Sequence, residues 1–95
     1  MKEEKKYLHL KELLEQNDII ILKVNSVVKG TVKEGKLGGT NYYSLYTNNG
    51  ILTLFDGTIG YSQFEKDSEL REGGNIRLTK VLGKNGFYYG SFSKN

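Results

Sequence analysis

A predicted β-hairpin over Tyr42–Phe55 (YYSLYTNNGILTLF) constrains the fold of this chain more than any other segment. Two runs of alternating apolar residues flank Asn48-Asn49-Gly50. Asn-Gly between such runs is a strong hairpin signal, because a type I′ turn needs positive φ at both central residues. The sequence therefore predicts two antiparallel strands joined by a tight turn.

The register of this hairpin depends on which residues form the turn, but its two faces do not. With Asn49 and Gly50 at the turn, Tyr46 faces Thr53; with the turn one residue earlier, Tyr46 faces Ile51. Side chains alternate along a strand, so both registers give one aliphatic face and one aromatic, polar face. The aliphatic face holds Tyr43, Leu45, Leu52 and Leu54, and the other holds Tyr42, Tyr46, Ile51, Thr53 and Phe55.

The composition fits one small domain spanning the 95 residues. There are no cysteines, so the sequence offers no disulfide framework and no thiolate site. The N-terminus is charged and lacks a signal-peptide core, and the longest apolar run, Ile19–Leu22, is far too short to span a membrane. We therefore expect a cytoplasmic protein without membrane contact. The Lys-, Asn- and Ile-rich composition suggests an AT-rich bacterial, phage or mobile-element gene.

A helix is predicted over Met1–Asn17, where Leu10, Leu13 and Leu14 recur at helical spacing with Tyr7 one turn earlier. Two interpretations remain open. The helix could close one end of the domain, or it could dock onto another protein through Tyr7, Leu10 and Leu14.

A long strand is predicted over Ile19–Lys33, with a bulge or bend where the alternation blurs at Ser26-Val27-Val28, next to Gly30. Strands of about fifteen residues are typical where one strand serves two sheets or closes a barrel. The following segment, Glu34–Thr40 (EGKLGGT), is predicted to be a flexible loop. It lacks the Gly-Lys-Ser/Thr ending of a phosphate-binding loop.

A second helix is predicted over Gln63–Leu70, with Ser62 as N-cap and Glu65 reaching back to it. We expect Phe64 to pack inward and Gly73-Gly74 to end the helix. Two strands follow, over Asn75–Leu82 and Phe87–Ser93, joined by the hairpin loop Gly83–Gly86.

The order of elements matches the five-stranded Greek-key barrel called the OB-fold. The stretch Leu70–Phe92 (LREGGNIRLTKVLGKNGFYYGSF) resembles OB-fold nucleic-acid-binding proteins in its glycine-marked helix end, basic Gly-rich loop and aromatic last strand. The predicted fold is therefore mainly β. It comprises a five-stranded OB-like barrel over about residues 19–93, a short helix between strands 3 and 4, and the N-terminal helix. An SH3-like barrel remains an alternative.

The resemblance implies a single-stranded nucleic-acid-binding module, with DNA favoured over RNA, that serves replication or repair. In OB-folds, strands 2 and 3 and the loops between strands 1–2 and 4–5 line the oligonucleotide groove. Aromatic rings there stack on bases, and basic side chains contact phosphates. Of the neighbours Tyr88 and Tyr89, we expect Tyr89 to face outward. The candidate residues are Tyr42, Tyr46, Thr53, Phe55 and Tyr89 for bases, and Lys33, Lys36, Arg77 and Lys84 for phosphates.

Two other hypotheses complete the expectations. Tyr42 and Tyr46 could be aromatic residues that only stabilise the hairpin by cross-strand contacts. The chain could also be an accessory subunit of a polymerase, primase or helicase, docking by its N-terminal helix or aromatic face. We expect no enzyme activity, cofactor or metal site, because His9 is the single histidine and the acidic residues fall mainly on helix surfaces.

Overall fold

The computed structural model describes residues 6–95, which form one six-stranded sheet and three helices. The sheet is curled into a half-barrel with the strand order β1-β4-β3-β2-β5-β6. The predicted mainly β class is confirmed, although the sheet has six strands rather than five. The strands are β1 (Tyr7–Leu8), β2 (Ile19–Thr31), β3 (Asn41–Thr47), β4 (Gly50–Phe55), β5 (Gly74–Leu82) and β6 (Tyr88–Lys94). The helices are α1 (Leu10–Gln16), α2 (Ile59–Lys66) and α3 (Ser68–Arg71).

The additional strand, β1, comes from the segment predicted to be helical. Tyr7 and Leu8 pair in parallel with Ile51 and Leu52 of β4, and helix α1 begins only at Leu10. Residues 1–5 of the predicted helix lie outside the described residues. The correction has a physical reason: the edge of β4 carries backbone groups that need partners, and the Ile51 N–H donates to the Lys6 carbonyl at 2.9 Å.

Strand β2 serves both halves of the sheet, as its predicted length indicated. Its first half pairs with β5, from Ile19–Thr79 to Val24–Gly74, and its second half pairs with β3. The register shifts between Val24 and Ser26, which confirms a bulge slightly earlier than expected. The bulge lets one continuous strand change ladder partners and adds curl to the sheet.

The hairpin adopts the second of the two predicted registers. Thr47 pairs with Gly50 and Tyr46 pairs with Ile51, so Asn48 and Asn49 form the turn. The Thr47 hydroxyl accepts hydrogen bonds from the backbone N–H groups of Asn49 and Gly50, both at 3.1 Å. Among residues 6–95, only glycines have positive φ, so Asn49 does not take the type I′ conformation. The aliphatic and aromatic faces of the hairpin contain the same residues in either register, because the two registers differ by two residues in the pairing.

The core lies between the inner face of the sheet and the helices. The predicted aliphatic face of the hairpin is buried and Phe64 is fully buried, as expected, and Leu70 is fully buried as well. The predicted single helix is instead two: α2 is capped by Thr58, not Ser62, and Asp67 caps α3. The earlier start brings Tyr61 into the core beside Phe64. The helical segment ends at Gly73-Gly74 as predicted, with φ values of 79° and 88°.

Candidate nucleic-acid interface

The outer face of the hairpin continues onto both neighbouring strands. Residues that pair across a sheet point to the same side, so the ladders define three rows of side chains. We call these rows the outer face. They are Gly30–Tyr42–Phe55, Val28–Ser44–Thr53, and Ser26–Tyr46–Ile51–Tyr7.

Tyr42 and Phe55 form a packed pair at one end of the outer face. Their ring centroids are 6.1 Å apart with an edge-to-face angle of 61°, and both side chains are half-buried. The Tyr42 ring lies across Gly30, where an added Cβ would come within 2.4 Å of the Tyr42 hydroxyl oxygen. The absence of a side chain at Gly30 therefore leaves space for the Tyr42 ring.

Tyr46 is the most available ring of the predicted site. It is 40% exposed, and within residues 6–95 it forms no hydrogen bond through its hydroxyl and no pair with another ring. Tyr7 lies in the same row beyond Ile51 and is 58% exposed. Helical spacing had assigned Tyr7 to a docking stripe, so the sequence prediction missed it as a member of this face. No local signal identifies it, because its position depends on pairing with β4.

The predicted basic residues divide between two regions. Lys33 and Lys36 are exposed in the loop that joins β2 to β3, next to the Tyr42–Phe55 pair. This loop is held by a hydrogen bond from the Gly39 N–H to the Val32 carbonyl at 2.7 Å. The two lysines therefore lie beyond the Tyr42–Phe55 end of the outer face, past the last β2–β3 pair, Thr31–Asn41.

Arg77 and Lys84 do not adjoin the hairpin. Arg77 pairs with Ile21, in the half of β2 that pairs with β5, and its guanidinium donates to Asn95 Oδ1 at 3.0 Å. Lys84 lies in the β5–β6 loop. Because β5 continues past the Ile19–Thr79 pair to Leu82, this loop lies beyond the first residue of β2, whereas Lys33 lies beyond the last.

Of the neighbours Tyr88 and Tyr89, Tyr89 lies on the outer side of the sheet, the side expected for it, because Tyr88 shares the inner side with the buried Phe92. Tyr89 is half-buried opposite Val81, whereas Tyr88 is 58% exposed. Tyr88 pairs with Leu82 at the end of the β5–β6 ladder, where Leu82 is itself exposed. The Lys80 ammonium lies 4.3 Å from the centroid of the Tyr88 ring, a cation–π contact.

The three residues predicted to dock onto another protein, Tyr7, Leu10 and Leu14, do not form one exposed surface. Leu14 is part of the core, and Leu10 packs on it and against the backbone of Gly90 in β6. Tyr7 belongs to strand β1 and not to the helix. This arrangement supports the interpretation in which the N-terminal helix closes one end of the domain.

One lysine of β2, Lys29, forms an ion pair at the surface, on the same side of the sheet as Tyr43. The Lys29 ammonium donates to Glu65 Oε1 at 2.5 Å, and Glu65 Oε2 accepts a hydrogen bond from the Tyr43 hydroxyl at 2.8 Å. Hydrogen bonding from Lys29 and then Tyr43 lowers the pKa of Glu65, and the bond to Glu65 raises the pKa of Lys29. Burial is the main cause of the raised pKa of Tyr43. The cluster ties β2 and β3 to α2.

Two further properties concern the described part of the chain. Within residues 6–95, no group of three or more histidine, aspartate or glutamate side chains is arranged to hold a metal ion. None of the helices there has both the length and the hydropathy that a membrane crossing requires.

Comparison with known proteins yields no matching family model and no significantly similar curated protein or solved structure. The functional interpretation therefore rests on the surfaces of this chain.

Proposed function

We propose that this chain is an OB-like single-stranded nucleic-acid-binding module, with DNA as its favoured ligand and a role in replication or repair. The observation that carries the proposal is the outer face, where Tyr46 and Tyr7 expose their rings in one row and Tyr42 and Phe55 lie in another. Support also comes from the connectivity: the long strand β2 pairs with β3 and β5, and helices follow β4. That order fits a partly open Greek-key barrel.

The outer face has the chemistry that sequence-tolerant binding needs. Tyr46 and Tyr7 are two strands apart, about 10 Å, with the apolar Ile51 between them. Bases of any identity stack on such rings. Lys33 and Lys36 would meet phosphates beyond the Tyr42 end of the face, so the bound strand would cross the hairpin between these two ends. Phosphate contacts make the affinity decrease as salt concentration rises.

The test is a fluorescence-anisotropy titration with labelled oligo-dT at low and moderate salt. We expect Tyr46→Ala to weaken binding by about 5- to 150-fold, the equivalent of about 1–3 kcal/mol for one stacked base, without a change in melting temperature. Lys33→Glu should weaken binding and reduce its salt dependence. Oligo-rU in place of oligo-dT measures the preference for DNA.

Tyr88→Ala is the matched control, because Tyr88 is an exposed tyrosine outside the outer face. It should leave the affinity for oligo-dT within twofold of wild type. Undetectable binding at low salt, or equal losses in Tyr46→Ala and Tyr88→Ala, would contradict the proposed site.

A further inference from the structure

A groove separate from the outer face lies between α1, the start of α2 and the start of β6, with Lys80 of β5 also in its lining. Its volume is about 550 Å³, within the range of ligand-binding clefts. Its walls are mainly hydrocarbon, from Leu10 and Leu14 on one side and Ile59 and Tyr88 on the other. The two edge strands of the sheet, β1 and β6, do not pair with each other, and α1 packs against β6 beside the groove.

Large apolar side chains around this groove remain exposed. Ile59 is 46% exposed and Phe87 is 74% exposed, and Leu82 beside Tyr88 is also exposed. A cluster of exposed apolar side chains next to a concave groove is typical of an interaction site rather than of a solvated surface. None of Ile59, Phe87 and Leu82 belongs to the residues predicted to bind or dock.

The charge beside the groove is mainly positive. Lys11 and Lys80 line it, and Lys84 lies next to it in the β5–β6 loop, whereas Glu15 is the one carboxylate in its lining. Within residues 6–95, the single ion pair is Lys29–Glu65, so none of these three lysines is paired with a carboxylate there. Apolar walls and cations without a carboxylate partner therefore occur at one site.

We propose that this groove binds an acidic segment of a partner protein that carries bulky apolar side chains. The apolar side chains would enter between Leu10 and Ile59, and the carboxylates would pair with Lys11, Lys80 and Lys84. Charge complementarity of this kind selects partners and increases the association rate. The proposal goes beyond nucleic-acid binding and uses none of the residues of the outer face.

A nucleic acid fits the groove less well, although it would also meet the lysines. The edge of a base carries several hydrogen-bonding groups, and burying them against leucine and isoleucine without partners costs free energy. The side chains of leucine and phenylalanine carry no such groups. The hydrocarbon walls therefore favour a peptide.

The test uses a fluorescein-labelled synthetic peptide in which leucine, phenylalanine and leucine recur at helical spacing among aspartates. We expect saturable binding to the full chain, weakened at least tenfold by Ile59→Asp and by Lys80→Glu. Ile21→Asp is the matched control. The exposed fraction of Ile21, 44%, is similar to that of Ile59, but Ile21 lies on β2, outside the groove. This variant should bind as wild type does. Melting curves verify that each variant is folded.

Two further measurements decide the chemistry and the location. A peptide with lysines in place of the aspartates should bind at least tenfold more weakly. In amide NMR spectra, the acidic peptide should shift Gly60 and Gly90, which line the groove, and leave Gly30 unchanged.

The proposal is overturned if the acidic peptide does not saturate, if the lysine peptide binds equally well, or if Ile59→Asp has no effect. It is also overturned if oligo-dT displaces the peptide and Ile59→Asp loses oligo-dT affinity, because the groove would then be a nucleic-acid site. Failure of the peptide with intact, Tyr46-dependent oligo-dT binding would leave the proposed function of the outer face unaffected.

Discussion

Two tyrosines of strand β3 show how the two faces of one hairpin differ. Tyr43 is 2% exposed, its ring centroid is 5.0 Å from that of Tyr61, and its hydroxyl donates to Glu65. Tyr46, three residues later, is 40% exposed and has no ring partner in residues 6–95. The same residue type is therefore a core residue on one face and an available ring on the other.

This difference shows which residues packing requires. The inner face must be apolar, because α2 and the sheet bury it together, and a tyrosine fits there only with a partner for its hydroxyl. Nothing in the packing of residues 6–95 requires an aromatic ring at Tyr46. The outer face is thus where a function can be sought, and stability measurements can test that separation.

The largest expected effect is on the inner face. We expect Tyr43→Ala to lower the free energy of unfolding by about 3–5 kcal/mol, because it removes a buried ring and leaves a cavity beside Phe64. Urea denaturation followed by circular dichroism measures it. Tyr46→Ala is the matched comparison and should change the stability by no more than about 0.5 kcal/mol. Similar losses in the two variants would mean that the outer face is also structural.

An intermediate effect is expected within the outer face, where Tyr42 and Phe55 touch. A double-mutant cycle with Tyr42→Ala and Phe55→Ala should give a coupling free energy of about 0.5–1.5 kcal/mol, as edge-to-face ring pairs do. The cycle for Tyr46 and Phe55, which share the face but do not pair, should give a coupling near zero. A Tyr42–Phe55 coupling near zero would show that the contact between the two rings does not stabilise the fold.

Local patterns predicted much of this architecture. Alternation in Tyr42–Phe55 correctly assigned the inner and outer residues, and the predicted helix over Gln63–Leu70 correctly assigned Phe64 to the core. The blurred alternation in β2 predicted its bulge. These signals succeed because burial repeats with the period of the element itself, so neighbouring residues carry the information.

Features that depend on distant segments were not predicted. Tyr7 and Leu8 become a strand only because the edge of β4, far along the chain, lies beside them. The hairpin register depends on the Thr47 hydroxyl, which accepts a hydrogen bond from the Asn49 N–H. Asn49 does not adopt the type I′ conformation that the sequence predicted. The groove beside Ile59 is built from four separate segments, so no single stretch of sequence signals it.

The smallest expected effect is the pH dependence that the Lys29–Glu65 contact gives to stability. The contact lowers the folded-state pKa of Glu65, so at acidic pH the unfolded state binds more protons at this residue than the folded state. Its contribution is therefore present above the ordinary carboxyl pKa of about 4.3 and is lost as the pH falls through the lowered folded-state value. The loss is small because the two side chains remain 48% and 38% exposed, and water screens the pair.

Urea denaturation of wild type and Glu65→Gln from neutral to acidic pH measures this contribution. The stability difference between the two proteins should shrink as the pH falls. Glu12→Gln is the matched control, because Glu12 is an exposed glutamate of α1 without an ion-pair partner in residues 6–95, and its curve should stay parallel to wild type. Since Glu65 contacts Tyr43 and Tyr61 on the inner face, Glu65→Gln should leave oligo-dT affinity at neutral pH unchanged. A loss of affinity in that variant would show that the two faces of the hairpin are coupled rather than separate.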